Sequence, residues 1–234
     1  MSGRSLRALI NQIEIGTLRE VDGLWSFQYT SAWLRNAQGF PLSPHLPLVA
    51  EPLLDGASQR PVQWYFDNLL PEEGQRHLLA GDAHLDAADA FGLLAWYGAE
   101  SAGSITLQLP DAQPQAAESL RPLLDDALED RIGRLPQVPL THDAIKRMSL
   151  AGAQHKLAVV LHHGALFEPA GATPSTHILK PNHPDQDYPH SVINEWVLMK
   201  LAKQLGLYVS NVYRRYVPSP VYLIDRSEEH TSEL

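Results

Sequence analysis

Cysteine is absent from the chain, which excludes a disulfide framework and any cysteine-held zinc site. Lysine is missing from the first 145 residues; all five lysines (Lys146, Lys156, Lys180, Lys200, Lys203) come later, and the earlier part uses arginine alone. The asymmetry suggests two units with different tasks. An excess of positive charge is also lacking: the formal net charge is -9, which argues against a broad nucleic-acid surface built from clustered Lys and Arg. No apolar run approaches membrane-spanning length, and the N-terminal Met-Ser-Gly-Arg-Ser-Leu-Arg is not followed by a signal core. A cytoplasmic protein with no membrane contact is the expectation. What is present is ordinary for a globular chain: 44% apolar and 19% charged residues over 234 positions, room for one large domain or two small ones.

Taken in order, residues 1–30 predict a small antiparallel sheet. Ser5 to Asn11 and Gln12 to Val21 read as strands. Asp22-Gly23 is a hairpin signal, and Leu24 to Thr30 carries Trp25, Phe27 and Tyr29 at period two. Phe40 to Pro52 is an extended, proline-rich packed loop. Pro61 to Leu70, with Trp64, Tyr65, Phe66, Leu69 and Leu70, is expected in the core. Leu85 to Trp96 has helical spacing and can end at Gly98, and 103–109 reads as a closing strand. Pro110 to Pro136 turns acidic, with Leu120, Leu123, Leu124 and Leu128 able to form one helical stripe, and is expected to be a connector.

Beyond it lies the stretch Arg147-Met148-Ser149-Leu150-Ala151-Gly152-Ala153-Gln154-His155-Lys156, followed by a strand at Leu157 to Leu161. Backbone amides in a loop of Ala and Gly can approach phosphate oxygens closely, because no bulky side chain intervenes. By itself such a loop is also a plain turn. His162-His163-Gly164 is a solvated turn rather than a metal site. Thr176 to Pro181 is a short strand carrying Lys180. Ser191 could cap a helix from Val192 to Leu205, with Ile193, Val197, Leu201 and Leu205 on one face, Glu195 near its start and Gly206 after it. Val221 to Asp225 is a last strand. Alone, Lys180 is a surface lysine beside a proline, and Glu195 is a favourable acid in a first helical turn. In order, small-residue loop, strand, lysine strand, acid-bearing helix and strand are the parts with which protein kinases hold ATP.

The motifs Arg-Met-Ser-Leu-Ala-Gly-Ala-Gln-His-Lys-Leu (147–157), Phe66-Asp67-Asn68-Leu69-Leu70-Pro71, the strand at 103–109, Thr176-His177-Ile178-Leu179-Lys180 and Asn194-Glu195 resemble the HipA family. These are serine/threonine kinase toxins of bacterial toxin–antitoxin pairs. The resemblance runs from about residue 5 to residue 226, in the family's order. It implies an α+β fold in which a small antiparallel-sheet N-terminal domain precedes a kinase-like N-lobe, with the second, helical kinase lobe missing. The expected domains are 1–110 (antitoxin-coupling), 111–140 (acidic helical connector) and 141–225 (nucleotide-binding lobe). ATP is the implied phosphoryl donor. Ala151, Gly152, Ala153 and Gln154 would cover its phosphates, Lys180 would contact them, and Asp225 with its neighbours would face adenine. Ser149 falls where the family carries an inhibitory autophosphorylation site. Glu195 as the partner of Lys180 follows from the general kinase pattern. The implied partners are a helix-turn-helix, HipB-like antitoxin and a protein substrate, with DNA reached only through the antitoxin.

A kinase also needs an acid to position the substrate hydroxyl and another to hold Mg²⁺. In the family both lie downstream of the segment at Asp225, so the expectation is a fragment without catalytic residues that transfers no phosphate by itself. Residues 226–234, Arg-Ser-Glu-Glu-His-Thr-Ser-Glu-Leu, can be reverse-translated as AGA TCG GAA GAG CAC ACG TCT GAA CTC, a sequencing-library adapter, and are expected to be non-native rather than a natural hydrophilic terminus. The alternative function is a non-catalytic relative that only engages an antitoxin or nucleotide.

Overall fold

Two antiparallel sheets with helices against them make up the computed structural model, which describes residues 3–99, 105–112, 117–148 and 150–226. Contacts divide the chain into two compact units, Met1–Pro114 with Arg147–Gly152, and Gln115–Lys146 with Ala153–Leu234.

The first unit begins with β1 (Arg4–Ile10), β2 (Ile13–Val21) and β3 (Leu24–Tyr29). Asp22 and Gly23 both have positive φ (53° and 75°), the backbone a two-residue hairpin loop requires. Alternation then places Leu6, Leu18, Trp25, Phe27 and Tyr29 inside. Gly16 is required by close approach, since a Cβ there would stand 2.4 Å from Phe27 Cζ. A short helix α1 (Ser31–Leu34) is capped by Thr30, whose Oγ1 accepts from the Trp33 N–H. The proline-rich segment packs back on Tyr29, whose hydroxyl donates to the Leu46 carbonyl at 2.7 Å and accepts from the Leu42 N–H at 2.9 Å. After β4 (Leu53–Leu54), the buried Asp55 carboxylate accepts from the N–H groups of Val62 and Gln63. It thereby satisfies two orphan donors of α2 (Pro61–Asp67). Phe66, Leu69 and Leu70 are core as expected, but Trp64 is 56% exposed, on the outer side of α2. Helix α3 (Glu73–Asp82) has no counterpart in the sequence reading. Helix α4 (Ala90–Tyr97) starts later than Leu85, because Asp89 caps it by accepting from the Gly92 N–H. Strand β5 (Ile105–Gln108) closes the sheet in the order β4-β3-β2-β1-β5. Residues 103 and 104 lie outside the described residues.

In the second unit, the stripe through Leu120 is not helical. Ser119–Pro122 is a strand, β6, and only Asp125–Gly133 is helix, α5. Pro122 disfavours helical backbone at Arg121, which instead pairs across to Glu168. Strands β7 (Leu157–His162), β8 (Ala165–Ala170) and β9 (His177–Pro181) precede α6 (Ser191–Gln204). Strand β10 (Val212–Tyr216), not anticipated, and β11 (Pro220–Asp225) complete a six-stranded sheet in the order β10-β11-β9-β7-β8-β6.

Helix α6 departs from expectation twice. Ser191 is its first residue rather than its cap; the Ser191 hydroxyl accepts from the His183 N–H, and Asn182 Oδ1 takes the Val192 N–H. The face turned to the sheet carries Val192, Glu195, Trp196 and Met199, spaced i, i+3, i+4, i+7. Val197, Leu198, Leu201 and Leu205 consequently stay exposed, by 46–70%. Among the described residues no helix is long and apolar enough to cross a membrane.

Candidate functional site

Strand β9 lies inside the sheet between β11 and β7; Lys180 pairs with Tyr222 of β11, and the β7 ladder reaches as far as its neighbour Leu179. The Lys180 ammonium donates to Glu195 Oε2 of α6 at 2.7 Å. The two side chains are 23% and 30% exposed, a setting in which an ion pair contributes only about 0–1 kcal/mol. The pair's effect is therefore orientation: it aims a positive charge from a rigid strand. Glu195 sits in the second turn of α6, away from the helix terminus, so the dipole reading of this acid gives way to the pairing with Lys180.

Tyr222, which the sequence reading did not single out, faces Lys180 directly across the β9–β11 ladder, and the ammonium lies 5.8 Å from its ring centroid. Burial, and then the charge of Glu195, push the Tyr222 phenol up to about 12, so it stays neutral. Register could have revealed it: setting 221–225 antiparallel to 177–181 pairs Tyr222 with Lys180.

Asp225 is three residues from Tyr222, and alternation sends its carboxylate to the opposite face. There it meets His177 Nε2 at 3.0 Å and accepts from Asn211 Nδ2 at 2.9 Å, while Lys203 donates to Asn211 Oδ1. Burial lowers the proton affinity of His177, and the Asp225 charge partly offsets this. The Asp225 N–H donates to the Asn211 carbonyl and the Arg226 N–H to the Thr176 carbonyl, both at 3.0 Å. Both donors are thus taken by the protein.

The small-residue loop has no regular structure before β7, and Gly152 holds φ 98°, a region that favours glycine. Ala151 and Gly152 group with the first unit, Ala153 and Gln154 with the second. Ser149 lies outside the described residues. Just past the loop, His155 is 5% exposed, and burial, with a smaller contribution from His183, pushes its imidazole down to about 4. A folded-state value below the unfolded one means the unfolded chain binds the extra proton. His155 therefore contributes its full stability above pH ~6.5 and loses it as pH falls to about 4, a swing of roughly 2 kcal/mol after discounting for residual solvent. The expected result is a urea midpoint that falls between pH 6.5 and 4 in the parent and is flatter in His155→Gln. Parallel pH curves would show that His155 is not the titrating group.

Among the described residues no group of three or more His, Asp and Glu could hold a metal ion, and Glu195 is already paired with Lys180.

Comparison with known proteins identifies the family. The HipA N-terminal domain model matches residues 6–108, and the HipA-like C-terminal domain model matches residues 148–229. Y4mE of Sinorhizobium fredii, whose name describes a kinase, is 36% identical over 204 residues, 85% of this chain and 47% of that protein. The serine/threonine-protein kinase toxin HipA of Shewanella oneidensis is 32% identical over 208 residues, 86% of this chain and 45% of its own length. The chain spans about half the length of these curated relatives. The solved complex of HipA, HipB and operator DNA from Shewanella oneidensis superposes with a TM-score of 0.75 at 29% identity, covering 98% of this chain and 52% of that one. With models for both halves of one family matched in order over most of its residues, the chain belongs to the HipA family.

Proposed function

We infer that the second unit is the ATP-holding lobe of a HipA-type toxin, a protein serine/threonine kinase restrained by a DNA-binding, HipB-like antitoxin. The observation that carries this reading is the 2.7 Å tie between Lys180 and Glu195, a strand lysine steadied by a helix acid. Lys180 offsets the negative charge of the ATP phosphates, and the amides of Ala151, Gly152, Ala153 and Gln154 approach them from a backbone that Gly152 allows to turn. Since the N–H groups of Asp225 and Arg226 are taken, residue 225 has only its carbonyl to offer adenine. Glu195 keeps the lysine aimed as substrate arrives.

In the reaction, a serine hydroxyl oxygen of the protein substrate bonds to the γ-phosphorus while the bond from that phosphorus to the β–γ bridging oxygen breaks, releasing ADP and the hydroxyl proton. This chain's part is binding and orientation. No step is routed through Mg²⁺. The first unit is the coupling domain for the antitoxin, through which operator DNA is reached; the solved relative in complex with HipB and operator DNA supports that reading. Ser149 is the proposed regulatory phosphorylation site.

Isothermal titration of the purified chain with ATP tests the proposal. Saturable binding is expected with a dissociation constant between about 1 μM and 1 mM, the range of ordinary enzyme substrates. Absence of binding at about 1 mM would remove the nucleotide reading.

A further inference from the structure

A hydroxyl taken into a protein interior is costly unless it finds a partner, so one left without a partner calls for a reason. Tyr222 is such a case. The residue is 1% exposed and clusters with Val192 of α6 and Val212 of β10, with Trp196, Met199 and Ile224 packed against them. Among the described residues its hydroxyl forms no hydrogen bond. Two other buried tyrosines behave differently. The Tyr29 hydroxyl is held between the Leu46 carbonyl and the Leu42 N–H, and that of Tyr97 reaches the Leu79 carbonyl and Asp82. Nor is the Tyr222 oxygen sealed in: among the described residues the enclosed hydroxyl without a partner is that of Thr141.

The neighbours of this hydroxyl suit a ligand. Tyr222 pairs directly with Lys180, so both side chains leave the same face of the sheet. The ammonium, 5.8 Å from the ring centroid, is within reach of a cation–π contact, and the Glu195 charge acts on the phenol. Lys180 and Glu195 are 23% and 30% exposed, so the ion pair beside the phenol opens to solvent. A neutral phenol can donate a proton to an acceptor, and the ammonium can do nothing else. The group that satisfies both must be anionic and rich in acceptor oxygens, which describes a phosphate.

We propose that Tyr222 is a binding residue of the lysine site, and that its hydroxyl donates to a phosphate oxygen of the nucleotide held by Lys180. The proposal rests on the reading of Lys180 as the phosphate-contacting lysine. This hydrogen bond forms only when ligand arrives. Until then the protein carries an unsatisfied donor, giving up some stability in exchange for affinity.

Tyr222→Phe keeps the ring and its packing, and tests the proposal on the 234-residue chain by isothermal titration with ATP and by urea denaturation. ATP affinity should fall about tenfold, the lower end of what a hydrogen bond to a charged group contributes. The urea midpoint should stay at or above the parent's, because the fold loses no partner. Unchanged affinity would show that the ring alone matters, and would overturn the proposal. A lower midpoint would overturn it too, by marking the hydroxyl as a structural group. Lys180→Ala tells this failure from that of the underlying reading. If Lys180→Ala binds ATP as the parent does, the lysine site itself falls and Tyr222 with it. If Lys180→Ala binds weakly while Tyr222→Phe binds normally, Tyr222 alone leaves the site.

Discussion

Lys180→Ala is expected to weaken ATP binding about 10- to 100-fold, and to remove turnover from any longer form of the protein that transfers phosphate. The magnitude follows from what is lost: a charge-assisted hydrogen bond to phosphate contributes about 1.5–3 kcal/mol. The ammonium is on an inner strand and held at 2.7 Å by Glu195, so its charge is set in place before a ligand arrives. Lys180→Arg keeps the charge but not the compact shape, and should recover only part of the affinity. Stability should hardly move, because a partly exposed pair contributes about 1 kcal/mol or less. A urea curve on the same sample therefore separates loss of function from loss of fold. Parental ATP affinity in the folded variant would take Lys180 out of the site.

The largest effect on stability belongs to Glu168, a residue with no role at the lysine. Its carboxylate is 2% exposed and accepts from Arg121 Nε at 2.9 Å, from a second Arg121 nitrogen, and from Arg131 Nη1 at 2.7 Å. Both arginines also donate to the Asp143 carbonyl, so β6, α5, β8 and the segment at 143 meet at one acid. Glu168→Ala leaves the 7%-exposed Arg131 guanidinium without its counter-charge, a loss of about 3–5 kcal/mol. Arg121, 46% exposed, can turn to water. Adding Arg131→Met to Glu168→Leu removes the stranded charge and should restore part of the stability. Denaturation midpoints measure both. A Glu168→Ala midpoint within about 0.5 kcal/mol of the parent would show that the network is dispensable.

Local rules made some of this legible and long-range pairing hid the rest. Asp22-Gly23 announces its hairpin because the turn's backbone demands those residue types, and Gly206, at φ 82°, ends α6 for a similar reason. Lys180 and Glu195 could be named from the order of elements, and the geometry brings them together. Arg121 could not be placed, because its strand exists only by pairing with β8, 47 residues away in sequence. The buried face of α6 was misjudged because the aliphatic stripe through Val197 and Leu201 is the more regular of the two. The helix turns instead on Glu195, a polar residue that a hydrophobicity pattern discounts. Asp225 was placed on the correct strand, but only the sheet's alternation shows that its carboxylate faces His177 rather than the lysine.

Strand β10 forms an outer border of the second sheet, and its sequence, Val-Tyr-Arg-Arg-Tyr, would invite a neighbouring chain to add a strand were it not for the two arginines at its centre. Arg214 lies over Trp196 and Tyr216, while Arg215 donates to Asp125 and to the Gly164 carbonyl, so each charge is anchored on a different face. Any copy approaching this border would have to strip water from Arg214 and break into the ties of Arg215. Two charges at the centre of a border strand work against intermolecular β-pairing, as gatekeeper residues do.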